Sequence, residues 1–240
     1  SHFRYMKDIP LVVPEINGYL IKKNADRKII ANPNCSTIQM VVALKPIYDA
    51  VGIERINIST YQAVSGAGAS GIGELASQTA DLLNGKSPTV KVMPKQIAFN
   101  AIPHIDPFQA NGYTKEEMKM ENEARKIMGL HDFKASVTCV RVPVFRAHSI
   151  AVSAEFEKDV SVLEAKKAIE SAPGIDLIDD VSNCKYPLPI DVAGLDNCKA
   201  GRIRKDCALS NGLSFWVVGD QLLKGAALNA VQIAEEVAKL

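Results

Sequence analysis

The strongest constraint in this sequence is a change of hydrophobic period at residues 32–34, Asn-Pro-Asn. Residues 28–31 before it are mostly apolar and too few for a helix, which predicts a short buried strand. After it, apolar side chains recur at helical spacing until Gly52 supplies a stop signal. Asn34 is a favoured N-cap residue. The chain is therefore expected to pass from a strand through a tight turn into a helix whose first turn contains Cys35.

The rest of the chain mixes strand-like and helix-like patterns. Strands are expected at residues 56–61, 137–144, 149–156 and 213–218, and helices at residues 72–83, 114–126, 162–171 and 222–240. Thr114 followed by Glu117 has the spacing of a capping box, which marks the start of the second of these helices. A stretch rich in Pro and Asn at residues 94–112 predicts a loop. Two adjacent strands followed by a helix are typical of an open sheet backed by helices, so the expected fold class is α+β.

Composition and charge exclude several classes of protein. The formal net charge is +1, so no global basic field is expected to attract nucleic acid. No apolar run approaches the roughly 20 residues that span a bilayer, and we expect no membrane partner. The five cysteines are odd in number and form no C-x-x-C pair, which argues against a disulfide scaffold or a zinc site. Free thiols suit a reducing cytoplasm, which is the expected location.

Cys35 is the strongest candidate for chemistry. A free thiol has a pKa of about 8.5, and a helix N-terminus or a nearby cation can lower it by about a unit or more. The turn would also direct unpaired backbone N–H groups toward an oxyanion formed beside the sulfur. These features predict a thiol-dependent enzyme. Ordinary space-filling roles are expected for the other cysteines, which are Cys139, Cys184, Cys198 and Cys207.

Seven short stretches, in order along the chain, together carry a family resemblance. They are residues 32–37 (NPNCST), 59–68 (STYQAVSGAG), 116–119 (EEMK), 141–144 (RVPV), 147–148 (AH), 201–206 (GRIRKD) and 223–232 (LKGAALNAVQ). Any one of them is weak evidence, but together they extend over nearly the whole chain. The sequence closely resembles the aspartate-β-semialdehyde dehydrogenase family.

The resemblance implies an NADPH-dependent enzyme that reductively dephosphorylates L-aspartyl-4-phosphate to aspartate semialdehyde and phosphate, on the route to lysine, methionine and threonine. It implies a catalytic and dimerisation domain at residues 34–219, similar to that of glyceraldehyde-3-phosphate dehydrogenase, with an open and mostly antiparallel sheet. Residues 1–33 and a helix at residues 220–240 would be remnants of a Rossmann-type NADP-binding domain. Because the family's Gly-rich dinucleotide loop is not in this sequence, the chain alone is expected to be inactive. The expected assembly is a homodimer, with a tetramer left open.

Four positions match the family's catalytic residues. By resemblance, Cys35 is the nucleophile that forms a thioester with the acyl group, and His148 is the general acid and base. Histidine suits that role because its ordinary pKa lies near 6.5. Gln62 matches the family's substrate-orienting glutamine, and Asn34 lies where it could help to hold the acyl oxygen. Structural or surface positions are expected for the remaining histidines, which are His2, His104 and His131.

Four charged residues match the family's substrate site. Arg141 is implied to hold the substrate α-carboxylate, a task suited to a planar guanidinium that makes paired hydrogen bonds. Glu116 and Lys119 lie three residues apart on one helix face, a spacing that by itself indicates a solvated ion pair. The resemblance instead makes Glu116 the partner of the substrate ammonium and Lys119 a phosphate contact. Arg4 matches a second phosphate-binding cation.

Two stretches are implied to face the cofactor. Ser65, Gly66, Ala67 and Gly68 resemble the family's small-residue loop beside the nicotinamide, where small side chains let backbone come close to a ligand. The family often has Asn before its Leu-x-Lys-Gly-Ala-Ala motif, whereas this chain has Gln221. A glutamine amide can still donate a hydrogen bond to the nicotinamide carboxamide, although with a different reach. No metal ligand is implied.

Other interpretations remain open on the sequence alone. N-acetylglutamyl-phosphate reductase typically has Gly before the cysteine and Tyr-Pro-Thr after it, unlike Asn34 and the Ser-Thr pair that follows Cys35 here. Glyceraldehyde-3-phosphate dehydrogenase has Ala-Ser and Thr-Thr at the same places. A thiol hydrolase would need no nicotinamide. The chain could also be a substrate-binding and dimerisation unit without catalysis.

Overall fold

The structure is a computed structural model that describes residues 2–24, 26, 28–130 and 132–240. The strands are β1 (Arg55–Gln62), β2 (Lys134–Arg141), β3 (His148–Glu155), β4 (Ile175–Leu177), β5 (Cys198–Lys205) and β6 (Gly212–Gly219). The helices are α1 (Pro14–Asn17), α2 (Tyr19–Lys23), α3 (Cys35–Val51), α4 (Gly68–Leu83), α5 (Lys115–Met128), α6 (Val162–Glu170), α7 (Pro189–Val192) and α8 (Leu228–Ala238). His131, for which a structural or surface position is expected, lies outside the described residues.

All six strands form one open sheet in the order β2-β1-β3-β6-β5-β4. The β1–β3, β3–β6 and β5–β6 pairs are antiparallel, whereas β1–β2 and β4–β5 are parallel. A parallel pair needs a crossover, and α4 and α5 provide it between β1 and β2. The predicted α+β class with a mostly antiparallel open sheet is confirmed.

One face of the sheet carries the hydrophobic core. Burial alternates along β1, so that Ile56 and Ile58 point into the core while Asn57 is exposed on the opposite face. Helices α3, α5 and α6 cover the core face, and Ile38 and Leu44 of α3 are completely buried. Burial of one such side chain contributes about 1.5–3 kcal/mol. The helix that begins at Cys35 is therefore held in place by its packing in the hydrophobic core.

Local sequence signals located several helix ends correctly. Helix α3 begins after Asn34 and ends at Gly52, as predicted, with Gly52 at a φ of 72° that favours glycine. The predicted capping box is present at the start of α5, where Thr114 Oγ1 accepts from the backbone N–H of Glu117 at 3.3 Å. In return, the Glu117 carboxylate accepts from the Thr114 N–H at 2.6 Å.

Other predicted elements need correction. The strand expected at residues 28–31 is reduced to a single bridge between Ala31 and Leu11. Prolines at positions 10, 14 and 33 limit pairing there because proline has no N–H to donate. Helix α4 begins at Gly68 rather than at residue 72, since the small residues at positions 68–71 form its first turn.

The second half of the chain contains two strands that the sequence pattern did not reveal. Strand β4 has only three residues, and β5 reads Cys-Lys-Ala-Gly-Arg-Ile-Arg-Lys, a charged pattern that is untypical of a strand. The strand expected at residues 137–144 ends at Arg141, shortly before Pro143. The helix expected at residues 222–240 opens with a π-helical turn, Leu223–Ala227, before α8. Among the described residues, no helix is both long enough and apolar enough to cross a bilayer.

Candidate active site

A cavity of about 470 Å³ lies at the N-terminus of α3. Its lining brings together nearly all the residues proposed from the sequence, namely Arg4, Asn34, Cys35, Gln62, Ser65, Gly66, Glu116, Lys119, Arg141, His148 and Gln221. The two that do not line it, Ala67 and Gly68, follow directly along the loop that begins at Ser65. Residues from seven separate stretches of sequence thus line one cavity together with Cys35.

Asn34 holds the helix end that presents Cys35. Its side-chain Oδ1 accepts from the backbone N–H groups of Ser36 and Thr37 at 3.0 and 3.1 Å. Its Nδ2 donates to Glu116 Oε1 at 2.9 Å. Both ends of this amide are therefore engaged in capping the helix and in orienting Glu116. The role at the acyl oxygen expected for Asn34 stays a prediction.

The Cys35 thiol does not have the lowered pKa expected of a thiol at a helix N-terminus. Burial raises its pKa to about 11, and the nearby Glu116 carboxylate acts in the same direction. Hydrogen bonds with Ser36 and the charge of Arg141 act in the opposite direction without prevailing. The sulfur therefore carries its proton at neutral pH, and that proton must leave during the reaction.

His148 is the first residue of β3 and is fully buried. Its Nδ1 accepts the backbone N–H of Ala63 at 3.0 Å, so a neutral ring carries its proton on Nε2. Nε2 is buried and has no hydrogen-bond partner among the described residues. Burial and the charge of Arg141 lower the pKa of His148 to about 3, although a hydrogen bond with the Ala147 backbone opposes the shift. A neutral imidazole with an unpaired Nε2–H is thus held at the cavity.

Arg141 ends β2 directly beside the end of β1, because the parallel register pairs it with Gln62. Its side chain is buried, and Nη1 donates to the Ala63 carbonyl at 2.7 Å. Burial lowers its pKa from the ordinary value, and the Glu116 carboxylate opposes that shift. A Cβ at Gly66 would lie 2.7 Å from Nη1, so that a larger residue there would require the guanidinium to move.

Glu116 and Lys119 form an ion pair, but it is not the solvated surface pair that their spacing alone would indicate. Glu116 is buried and also accepts from Gln62 Nε2 at 3.2 Å. Lys119 Nζ lies 2.9 Å from Glu116 Oε2 and 2.6 Å from Asp106 Oδ2. Burial opposes protonation of Lys119, but these two carboxylates raise its pKa above the ordinary value. Asp106 was missed by the sequence analysis because it lies in an irregular loop.

Arg4 reaches the cavity from the N-terminal end of the described chain. Its Nε donates to the Asn32 carbonyl at 2.8 Å, and its Nη1 lies 3.1 Å from Glu123 Oε1. Glu123 also accepts from the backbone N–H of Asn34 at 2.6 Å, and its side chain is fully buried. Sequence analysis missed Glu123. Its spacing of seven residues from Glu116 on the same helix face is the pattern that could have identified it.

Gln221 connects two segments that lie beside the cavity, at Ser65 and at Ala147. Its Oε1 accepts from the backbone N–H of Ala147 at 2.9 Å, and its Nε2 donates to Ser65 Oγ. The amide thus links the loop that begins at Ser65 to the residue preceding His148. Among the described residues, no group of three or more His, Cys, Asp or Glu side chains is placed to hold a metal ion.

Comparisons with known proteins agree on one family. The family model described as "Semialdehyde dehydrogenase, dimerisation domain" matches residues 44–224. The chain is 55% identical over 240 residues to aspartate-semialdehyde dehydrogenase of Aquifex aeolicus, covering 100% of this chain and 71% of the relative. It is 54% identical over 236 residues to the enzyme of Legionella pneumophila, covering 98% and 68%.

Solved structures give the same result. Aspartate semialdehyde dehydrogenase II of Vibrio cholerae complexed with ASA is 52% identical with a TM-score of 0.96, over 100% of this chain and 70% of that one. The aspartate semialdehyde dehydrogenase of Candida albicans with NADP is 27% identical with a TM-score of 0.73, over 100% and 69%. Both the sequence and the backbone of this chain are therefore similar to those of this family.

Proposed function

Because this chain belongs to the aspartate-semialdehyde dehydrogenase family, we propose that the cavity at Cys35 is where it carries out that family's reaction. The protein is an NADP-dependent enzyme that converts L-aspartyl-4-phosphate to aspartate semialdehyde and phosphate. Its relatives favour neither a sister acyl-phosphate reductase nor a non-catalytic unit. The observation that supports the individual roles is the convergence of a cysteine, a histidine and five charged side chains on one cavity.

Cys35 is the proposed nucleophile. Its sulfur bonds to the acyl carbon, the bond from that carbon to the phosphate oxygen breaks, and phosphate leaves. When bound, NADPH supplies the hydride that reduces the resulting thioester to the aldehyde. Because the pKa of the free thiol is about 11, proton removal must accompany attack by the sulfur. Cys35 is a free cysteine, and a reducing cytoplasm, where we place the reaction, keeps it in that form.

His148 is the proposed acid and base. In the tautomer held by Ala63, Nε2 carries a proton that can be donated to a reacting oxygen or to the departing sulfur. To accept the thiol proton at Nε2, the ring must first move its own proton to Nδ1 and give up the Ala63 bond. The low pKa keeps the ring neutral at neutral pH, so that it does not hold a proton permanently after accepting one.

The charged side chains are proposed to hold the two ends of the substrate separately. Only one of the five N–H groups of Arg141 is used by the Ala63 carbonyl, which leaves others for the substrate α-carboxylate. Glu116, fixed by Asn34 and Gln62, would accept the substrate ammonium. Lys119 and Arg4 would contact the phosphoryl group.

Substitutions of Lys119 and Arg141 should affect the KM values of the two substrates differently. In the phosphorylating direction, aspartate semialdehyde and inorganic phosphate are separate substrates whose KM values can be measured independently. We expect Lys119→Ala to raise the KM for phosphate, with a smaller effect on semialdehyde. Arg141→Lys should do the reverse, because an ammonium cannot reproduce paired guanidinium hydrogen bonds. Each lost contact is worth about 1.5–3 kcal/mol, or roughly ten- to a hundredfold.

Lys115→Ala is the matched control for the lysine variant, since Lys115 is exposed on the same helix. It should leave both KM values unchanged. Equal weakening of phosphate and semialdehyde by both Lys119→Ala and Arg141→Lys would refute the division of roles. A shared electrostatic field over the cavity would then be the better account.

The wall of the cavity near Ser65 fits the nicotinamide end of NADP. A Cβ at Gly66 would displace the Arg141 guanidinium, and a Cβ at Gly225 would lie 2.8 Å from the Cβ of Cys35. The two glycines leave backbone surfaces in the cavity that a planar ring can approach, Gly225 beside Cys35 and Gly66 beside Arg141 and His148. We propose that residues 65–68 and Gln221 contact the cofactor there. Residues 1–33 and 220–240 are proposed to belong to an NADP-binding domain, and residues 34–219 to the catalytic domain.

The exposed face of the sheet is the proposed homodimer interface. The rings of Tyr61 and Trp216 lie together there, with centroids 5.4 Å apart. Tyr61 is exposed, and a cavity of about 560 Å³ on this face is lined in part by residues 57–59 of β1 and by Trp216. Open antiparallel sheets commonly leave one face for solvent, so this one gains most by burying aromatic side chains against a second copy. Pairing of dimers into tetramers would use other surfaces.

A charge placed at the centre of this face should split the dimer. Asn57→Glu would place a charge in the buried surface of both subunits, because a two-fold interface uses the same patch on each, and neither charge would have a partner. We expect light scattering coupled to size-exclusion chromatography to show a monomer at a concentration where the parent is a dimer. Ser171→Glu, at the end of α6 on the helical side of the sheet, is the control and should remain dimeric. A dimeric Asn57→Glu variant would place the interface elsewhere.

A further inference from the structure

Lys126, which lies outside the cavity, is attached to the segment that carries Arg4. Its Nζ donates to the carbonyls of Arg4, Met6 and Ile9 at 3.0, 2.7 and 2.7 Å. An ammonium has three protons, so the three carbonyls use its full donor capacity. Lys126 therefore fixes the backbone at three points along residues 4–9.

This attachment matters because residues 2–9, here called the N-terminal segment, have little regular structure of their own. These residues, all of which the structure describes, contain one 3₁₀ turn, His2–Tyr5, and no strand. The guanidinium of Arg4 is oriented separately by Glu123, which lies three residues before Lys126 on the same face of α5. The helix thus holds both the backbone and the charged end of Arg4.

Glu116, Lys119, Glu123 and Lys126 follow one another along a single stripe of α5. The first two line the cavity, and Glu123 contacts Arg4 and the backbone of Asn34. Lys126 completes the stripe at its far end. One rigid helix consequently sets the position of two cations, Lys119 directly and Arg4 through its neighbours.

We propose that Lys126 is a positioning residue, which places Arg4 at the phosphate side of the cavity by holding the carbonyls of Arg4, Met6 and Ile9. The proposal rests on the proposed role of Arg4 in phosphate binding. Without these bonds, the N-terminal segment would sample other conformations and the guanidinium would spend less time at the site. A mobile binding group contributes less affinity, because the free-energy cost of ordering it is then subtracted from the free energy of binding.

The test is a double-mutant cycle in the complete enzyme, assayed in the phosphorylating direction. We expect Lys126→Met to raise the KM for phosphate roughly three- to tenfold while the KM for aspartate semialdehyde changes little. Arg4→Ala should raise the phosphate KM at least as much. If Lys126 acts through Arg4, the double variant will match Arg4→Ala alone instead of showing the product of the two effects. Lys115→Met, on the exposed side of the same helix, is the control and should match the parent.

Three results would overturn the proposal, and each has a different meaning. An unchanged phosphate KM in Lys126→Met, with a raised one in Arg4→Ala, would remove Lys126 alone from the phosphate site. If the increase in phosphate KM in the double variant were the product of the two single increases, Lys126 would act independently of Arg4. An unchanged phosphate KM in Arg4→Ala would remove the proposed role of Arg4 itself. If Lys126→Met does not fold, Lys126→Gln keeps two N–H donors, and the same cycle applies to it.

Discussion

Replacement of Cys35 by serine is expected to lower turnover by roughly a thousandfold or more while leaving the protein folded. A serine hydroxyl keeps the shape of the side chain and can still pack against Gly225, which a larger residue could not do. It is nevertheless a far poorer nucleophile at neutral pH than a sulfur. The variant should therefore retain substrate binding and lose the step in which the acyl group is transferred.

The measurement is the initial rate of NADPH formation from aspartate semialdehyde, phosphate and NADP. Cys207→Ser is the matched control, because Cys207 is exposed and lies outside the cavity, and this variant should keep the parent rate. More than a few percent of parental activity in Cys35→Ser would remove Cys35 from its assigned role. A parental rate in that variant would point to another nucleophile.

The sequence located the nucleophile well because its setting is local. The start of α3 is marked by a proline and by the N-cap side chain of Asn34, and its end is marked by Gly52. Each of these signals involves only residues that are close together in sequence. The same holds for the capping box at Thr114, which defines the start of the helix that carries Glu116 and Lys119. Short-range hydrogen bonds of this kind depend little on the rest of the fold.

The electrostatics of the site depend on distant parts of the chain and could not be predicted. The pKa of Cys35 is raised rather than lowered because burial and Glu116, 81 residues away in sequence, outweigh the helix N-terminus. The tautomer of His148 is set by the backbone of Ala63, which only the packing of the fold brings near. Such effects follow from tertiary contacts, which a local pattern does not contain.

Several contributors were missed for the same reason. Asp106 and Glu123 reach Lys119 and Arg4 only after the loop and the helix are packed. Nothing in the sequence near Asp106 marks it, and the helical spacing of Glu123 from Glu116 shows a shared face but no partner. Strand β5, which lies beside the short edge strand β4, was missed because three of its four charged residues are exposed and obscure the apolar pattern. The family resemblance supplied the cavity residues, whereas the groups that hold those residues in place had to come from the structure.

Lys224 is among these supporting groups, and its side chain is only 1% exposed. Its Nζ lies 2.6 Å from both carboxylate oxygens of Glu15 and also donates to Asn229 Oδ1 and Gln232 Oε1 at 3.0 and 2.7 Å. Burial lowers the pKa of this lysine, but the Glu15 carboxylate opposes that shift. The pair joins α1 to the π-helical turn that places Gly225 against Cys35.

Lys224→Met is therefore expected to lower the free energy of unfolding by about 3–5 kcal/mol, because it leaves the largely buried Glu15 carboxylate without its cation. For a chain of this size, that loss corresponds to a decrease in Tm of roughly 6–20 °C. Thermal and urea unfolding followed by circular dichroism would measure it. Lys239→Met, which breaks an exposed pair with Glu236, is the control and should unfold like the parent.

The double variant Lys224→Met/Glu15→Gln separates loss of the pair from loss of packing. If the cost comes from an uncompensated buried charge, removing Glu15 as well should restore a large part of the lost stability. An equally unstable double variant would instead assign the cost to packing of the lysine side chain against α8. A loss below about 1 kcal/mol in Lys224→Met would mean that the pair contributes little and that water reaches Glu15. The π-helical turn, and with it the wall of the cavity at Gly225, would then depend on the Asp220 carboxylate, which accepts from the N–H groups of Leu222 and Leu223.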